Sequence, residues 1–348
     1  MWLGRKMNPD TARNQACDSA SSARPAEIRD QLQMTRRTIL LRLLGGLLLA
    51  VLPCLAHAVE VEERSAVIFS EGARLHAQVY YPKSASPPLP TIIMSHGWGG
   101  TAAMLRSQAT EFAQAGYLAI AFDYRGWGES QSRVIQTTPA AKSSGGERLT
   151  GEMQQLREMV DPLDQAMDIQ NVIHWAMGEP AVDKNRLGLW GTSFSGGLVV
   201  YVAARDPRVR ALVSQVGYMG QPVASTPPKA LQKSYDDATR RARGELGYPP
   251  PGAREIGNLA GAPIREKFLL YAPIDDVVRV KDCAMLFIAA EHEELFDNRQ
   301  HSQLAYERAS EPKRYVVIPD IAHYGIYGEA RAQATRLAID WFDQHLKK

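Results

Sequence analysis

The chain has 348 residues, 45% of them hydrophobic and 22% charged, enough for a sizeable core and too apolar for wholesale disorder. Its net charge of +2 comes from the N-terminal segment: residues 1–58 hold eight Lys/Arg against four Asp/Glu. Of the chain's 40 basic and 38 acidic residues, 32 and 34 then remain in 59–348, a net of −2. No basic stripe with interleaved aromatics is present, so composition argues against a nucleic-acid partner.

Residues 1–33 are polar and irregular, and Met34 would make a sensible true start. Met34-Thr35-Arg36-Arg37, the apolar run 43–52 and Ala56-His57-Ala58 read as the charged, apolar and cleavage regions of an export signal. The apolar run is too short to span a bilayer, so no stable membrane anchor is expected after cleavage. Residues 35–40 fit a twin-arginine signal, and a general secretory signal fits nearly as well. Either implies a periplasmic or extracellular protein. Cleavage after Ala58 leaves Cys283 as the only cysteine, hence no internal disulfide.

From residue 60 onward, strand-like and helix-like segments alternate, which predicts an α/β fold around a mostly parallel sheet of eight strands. Residues 60–69 and 74–81, joined at Glu71-Gly72, read as an antiparallel opening pair. Short apolar runs follow at 91–95, 118–123, 186–190, 209–215, 284–289 and 315–318, as expected of strands covered on both faces. Between them, Asp161 and Pro162 suit the cap and first position of a helix reaching Met177, with Ala166, Ile169, Ile173 and Met177 on one stripe. A last helix from 330 to 346 carries Ala334, Leu337, Ala338, Trp341 and Phe342 on its core side. Two stretches break the rhythm. Residues 129–150 are polar with Gly145-Gly146, and residues 218–277 carry Pro227-Pro228 and Pro249-Pro250-Pro251 around a charged helical piece. The second predicts a cap after the sixth strand, above the strand ends where such sheets bind ligands.

The turns carry the chemistry. Gly191-Thr192-Ser193-Phe194-Ser195-Gly196-Gly197 sits between an apolar strand and an apolar helix, placing Ser193 at the apex of a strained turn beside a helix N-terminus. Ser195 is the rival nucleophile, but it lies inside the helix and Ser193 has the close-approach glycine. A serine hydroxyl needs a base oriented by a carboxylate. His323 follows the last strand, and Glu293 follows the one before it, with Glu291, Glu294 and Asp297 crowding the same turn. His76, His174, His301 and His345 read as surface histidines. Ser95-His96-Gly97-Trp98-Gly99-Gly100 follows the third strand, so the N–H groups of Trp98 and Phe194 are the expected oxyanion donors. His96 reads as structural, and Asp123-Tyr124-Arg125-Gly126-Trp127-Gly128 as a scaffold turn. Trp98, Trp127, Tyr218, Met219 and Phe296 are the candidate pocket residues. No HExxH, paired Cys-x-x-Cys or P-loop is present, so neither metal nor cofactor is expected.

These motifs resemble the α/β-hydrolase superfamily from about Ala66 to the C-terminus. The chain looks most like the dienelactone-hydrolase-like and Xaa-Pro-dipeptidyl-peptidase-like branches, which include the fungal polyketide transferase group; Asp206-Pro207-Arg208-Val209-Arg210-Ala211 adds to the likeness. The resemblance implies Ser193 as nucleophile, Glu293 as acid and His323 as base. Ser195 replaces the usual second elbow glycine, and a glutamate stands where an aspartate is commoner. A dienelactone hydrolase proper has a cysteine nucleophile, and Cys283 is far from the elbow. The expected activity is cleavage of a small-molecule carboxylic ester through an acyl-serine. Amide or peptide cleavage, or acyl transfer, would use the same three groups; a non-catalytic binding protein on this scaffold is the remaining alternative.

Overall fold

A strand covered on both faces needs apolar side chains pointing both ways. In β3 (Leu89–Ser95) every residue is buried: Ile92 and Met94 enter the core cluster on one face and Ile93 the cluster on the other. The same split runs through β8 (Val182–Thr192), where Leu187 and Leu189 face one way and Trp190 the other. This computed structural model describes residues 59–137 and 151–347. The extension and export signal read in 1–58 lie outside the described residues, as do 138–150 of the polar stretch.

β1 (Val61–Ser70), β2 (Ala73–Pro82), β4 (Leu118–Phe122), β9 (Val209–Gln215), β11 (Ala284–His292) and β12 (Lys313–Ala322) complete an eight-stranded sheet. Its order is β1-β2-β4-β3-β8-β9-β11-β12. The β1–β2 and β2–β4 pairings are antiparallel and the other pairings parallel, as the alternating sequence pattern implies. β12 is longer than the expected 315–318 because it is the sheet's outer strand. Its exposed positions leave only a short apolar stretch to read.

Helices cover both faces. α1 (Arg106–Gln114) and α8 (Arg331–Leu346) pack on one, through Phe112, Ala334 and Phe342; α2 (Pro162–Gly178) and α3 (Phe194–Ala203) pack on the other, through Ile169, Ile173 and Leu198. The Asp161 carboxylate accepts from the N–H groups of Leu163 and Asp164 at 3.0 and 3.2 Å, and Pro162 opens α2; such a cap contributes about 1 kcal/mol. β5 (Arg133–Gln136) and β6 (Met153–Leu156) form a short antiparallel ribbon.

The chain leaves the βα rhythm between β9 and β11. That segment holds α4 (Pro228–Ala242), β10 (Ala262–Pro263), α5 (Arg265–Phe268) and α6 (Pro273–Asp276). β10 pairs in parallel with β7 (Met159–Val160), which ties the segment to the run leading into α2. α7 (Ser302–Arg308) lies between β11 and β12. Among the described residues no helix is long and apolar enough to cross a membrane.

Candidate active site

The strand order reverses at β3, whose successor β4 lies on one side and β8 on the other. Such a switch point leaves a crevice at the strand ends. Ser95 is level with Gly191, and Gly191 with Ser214, so the loops after these strands meet at one place.

Ser193 occupies the crevice with φ 56° and ψ −122°, a conformation costing an L-residue about 1–3 kcal/mol. Its surroundings hold it there. Its N–H donates to Gln215 O at 2.8 Å, and its carbonyl accepts from Tyr218 N at 3.1 Å. A Cβ on Gly191 would lie 2.3 Å from Ser195 O, and one on Gly97 would lie 2.9 Å from Ser193 Cβ. Both positions therefore require glycine. Ser195 is fully buried, bonded to Ser95 Oγ and, at 2.9 Å, to Tyr124 Oη. The rival serine is thus a structural one, and its hydroxyl fills the place of the missing glycine with satisfied hydrogen bonds.

The three predicted groups stand in series. His323 Nε2 is 3.0 Å from Ser193 Oγ, and Nδ1 is 2.9 and 2.8 Å from the two Glu293 oxygens. The Glu293 and His323 side chains are only 2% and 1% exposed. The carboxylates crowding that turn take separate tasks: Glu291 accepts from Asp320 N at 2.9 Å, Glu294 from His323 N at 2.6 Å, and Asp297 pairs with Arg299 at 2.8 Å. Glu293 also accepts from Leu295 N at 3.1 Å, which fixes its carboxylate. Phe194 opens α3, so its N–H has no intrahelical acceptor.

Ser193 opens into a cavity of 460 Å³ whose walls include Trp98, Phe194, Tyr218, Phe268 and Phe296. Trp98 packs on Phe194 and Phe268 with ring centroids 5.6 and 6.0 Å away, and its indole N–H donates to Gly261 O at 3.2 Å. Two expected wall residues lie elsewhere. Trp127 is buried against Gly261, its indole N–H donating to Met159 O at 3.0 Å; Met219 is fully buried. Both are core residues, since the turns that carry them point them inward.

His301 is another correction: it is a buried residue, not a surface one. Its ring centroid is 4.8 Å from both Tyr218 and Phe296, and Nδ1 accepts from Met219 N at 3.0 Å. Burial pushes its pKa down to about 4, against the opposing pull of Asp297. His96 is also buried, with Nδ1 donating to Gly97 O at 3.0 Å, and burial lowers its pKa. Tyr327, unmarked by any motif, bonds Thr192 Oγ1 at 3.0 Å beneath the elbow; burial pushes its phenol up to about 12. Among the described residues one group can offer a metal three ligand atoms. It is Glu291, His292 and Asp320, all exposed, with those atoms within 4.8 Å of one another.

Comparison with known proteins identifies the family and the fold. The X-Pro dipeptidyl-peptidase (S15) family model matches residues 71–221, and the prolyl oligopeptidase family model matches 162–348. An Escherichia coli relative, "Uncharacterized 31.7 kDa protein in traX-finO intergenic region", is 28% identical over 285 residues, 74% of this chain and 91% of its own. The quorum-quenching protein AidA of Acinetobacter baumannii is 33% identical over 147 residues, 42% of this chain and 41% of its own. The crystal structure of hypothetical protein PA2218 from Pseudomonas aeruginosa superposes with a TM-score of 0.65 at 21% identity, covering 84% of this chain and 95% of that one. With that eight-stranded sheet, and a family model spanning more than half of its length, the chain belongs to the prolyl oligopeptidase family of serine hydrolases, within the α/β-hydrolase superfamily.

Proposed function

We propose that this chain is an exported serine hydrolase that cleaves carboxylic esters through an acyl-serine intermediate, with Ser193 as nucleophile, His323 as base and Glu293 as acid. One observation carries the reading: an unbroken Glu293–His323–Ser193 hydrogen-bond series ends in a largely apolar cavity. Ser193 Oγ attacks the ester carbonyl while its proton passes to His323 Nε2. Glu293, almost fully buried, stabilises the imidazolium that forms. The tetrahedral oxygen takes hydrogen bonds from the N–H groups of Phe194 and Trp98; one such donor is worth about 3–4 kcal/mol of barrier. Collapse returns the proton to the departing alcohol, and water repeats the sequence on the acyl-serine.

Peptide cleavage is the second reading, favoured by the names of the two matching family models. A site for a short peptide with a free N-terminus must neutralise an ammonium, because a buried unpaired charge is costly. The described residues lining the cavity include Lys233 and Arg265 and neither Asp nor Glu. That favours the ester. Export rests on residues 34–58, which carry the signal pattern.

A fluorophosphonate probe should label Ser193 and abolish turnover of p-nitrophenyl esters, with aminoacyl anilides turned over poorly or not at all. A folded protein that resists the probe overturns the proposal, and turnover of anilides alone replaces ester by peptide. Expression from the full gene with the 36–37 arginine pair intact should place mature protein beginning at Val59 outside the cytoplasm.

A further inference from the structure

The cavity above Ser193 is not lined by apolar side chains alone. Lys233, Pro263 and Arg265 line it and also line a second cavity, of 480 Å³, which lies between α4 and the loop 246–255. The two cations therefore stand at the junction. Each is anchored from the outer side by a single carboxylate: Lys233 Nζ lies 2.6 Å from Asp237, and Arg265 Nη2 lies 2.7 Å from Glu255. An ammonium has three donors and a guanidinium five, so each head keeps donors for something else.

The second cavity adds Arg240 and Arg241. Arg241 is held by Glu266 at 2.7 Å and lies over the Tyr248 ring. Arg240 forms no ion pair among the described residues. The cations here, Lys233, Arg240, Arg241 and Arg265, outnumber the carboxylates Asp237, Glu255 and Glu266. The cavity that Ser193 opens into is thus lined by aromatic and aliphatic side chains and by the two cations it shares with the second cavity, each paired with one carboxylate.

We infer that the substrate carries an anionic group, a carboxylate or a phosphate, that seats between Lys233 and Arg265 while its ester bond lies at Ser193. This rests on the reading of Ser193 as the nucleophile. The physical argument is complementarity: a like charge on the substrate would be repelled here, a neutral end would leave the spare donors to water, and an anion would meet both.

The test uses two matched sets of chromogenic esters. One carries the variable group on the acyl end and the other on the alcohol end, and the group is methyl, carboxylate, phosphate or trimethylammonium. In at least one set the anionic ester should exceed the methyl ester in kcat/KM about tenfold at low salt, with the cationic ester slowest. The gap should shrink as salt is raised, because these heads are partly exposed. The carboxylate and phosphate arms separate the two sources of charge. Lys233→Gln and Arg265→Gln should each narrow the anionic preference roughly threefold, the loss expected of one partly exposed pair. Glu255→Gln, which releases Arg265, should widen it. Neutral and anionic esters cleaved equally well in both sets would overturn the inference and leave the hydrolase reading standing. No ester turnover at all, with Ser193 unlabelled by fluorophosphonate, would overturn both.

Discussion

Helices α3 and α4 both border the cavity, and they are built in opposite ways. Of the ten residues of α3, nine are buried; of the fifteen of α4, only Ser234 is. The first helix is almost entirely buried, starts at the crevice and places Phe194 beside Ser193 on the cavity wall. The second is charged, tied to α5 by the Arg241–Glu266 pair, and offers one narrow face to the substrate space. Bond-breaking groups need fixed geometry, and a buried helix supplies it. Selection among substrates tolerates a softer wall, and low-density segments of this kind are where proteins open locally. On the proposed reading, the molecule keeps its chemistry on the sheet and its selectivity on the segment between β9 and β11.

If that division is right, changes on the sheet side should reduce turnover without altering preference. The largest effect belongs to Ser193→Ala, which should lower ester kcat by roughly a millionfold, the scale seen when a nucleophile of this type is removed. Circular dichroism should be unchanged, because alanine keeps the Cβ and removes only the hydroxyl, leaving the backbone hydrogen bonds that hold the elbow. Ser195→Ala, two residues along, should keep its activity and lose about 1–2 kcal/mol of stability from its bonds to Ser95 and Tyr124. Comparable loss of activity in both variants would mean that the wrong serine has been chosen. Next in size is Glu293→Gln. It leaves the shape intact but no longer stabilises the imidazolium, and kcat should fall on the order of ten-thousandfold with KM little changed. Glu291→Gln and Glu294→Gln, whose carboxylates bond backbone N–H groups, should cost far less. A ranking in which Glu294 matters most would move the acid by one residue.

A smaller effect concerns stability. His301 is held neutral with a pKa of about 4, below the ordinary 6.5, mainly by burial. Between those values the unfolded chain binds a proton that the folded chain refuses, so stability must fall as pH drops through 6.5 and level off near 4. The loss should be about 3 kcal/mol at most. Melting curves of the parent and of His301→Phe across that window would measure it, the variant showing the shallower fall. Parallel curves would mean that the imidazole titrates freely in the folded protein.

What was legible in the sequence follows the same division. Burial on both faces imposes apolar runs, so the eight strands were readable, as was α2 with its Asp161 cap and Pro162. The elbow was readable because a Cβ at Gly191 is sterically impossible, and the order serine, carboxylate, histidine follows from the loops after successive strands. Glu293 was favoured among its neighbours by its position in the turn, and the hydrogen bonds of the four carboxylates give each a separate partner. The pocket was the weakest reading. Trp98, Tyr218 and Phe296 line it, whereas Trp127 and Met219 turn inward, because loop side chains have no period from which to infer direction. His301 was misread as a surface residue and Tyr327 went unnoticed for the same reason: each acts through a contact far away in the chain. The flanks of the motifs held one usable signal, since Ser95 and Tyr124 adjoin the two glycine-rich turns and together receive the Ser195 hydroxyl.

The finest test of the comparison is Phe268→Ala on α5. Phe268 belongs to the segment between β9 and β11, yet its ring lies 5.7 Å from Phe194 and 6.0 Å from Trp98, and it forms part of the wall nearest the nucleophile. It is only half-buried, so truncation should cost less stability than a core deletion of the same size. Removing the ring widens the cavity without touching the Ser193–His323–Glu293 series. KM for esters with short acyl chains should therefore rise a few-fold, bulkier esters should gain relative to them, and kcat should stay within about twofold. If kcat fell instead by orders of magnitude while KM held, Phe268 would be fixing the oxyanion donors through Phe194 and Trp98. The boundary between catalytic floor and selective wall would then run through α5 instead of below it.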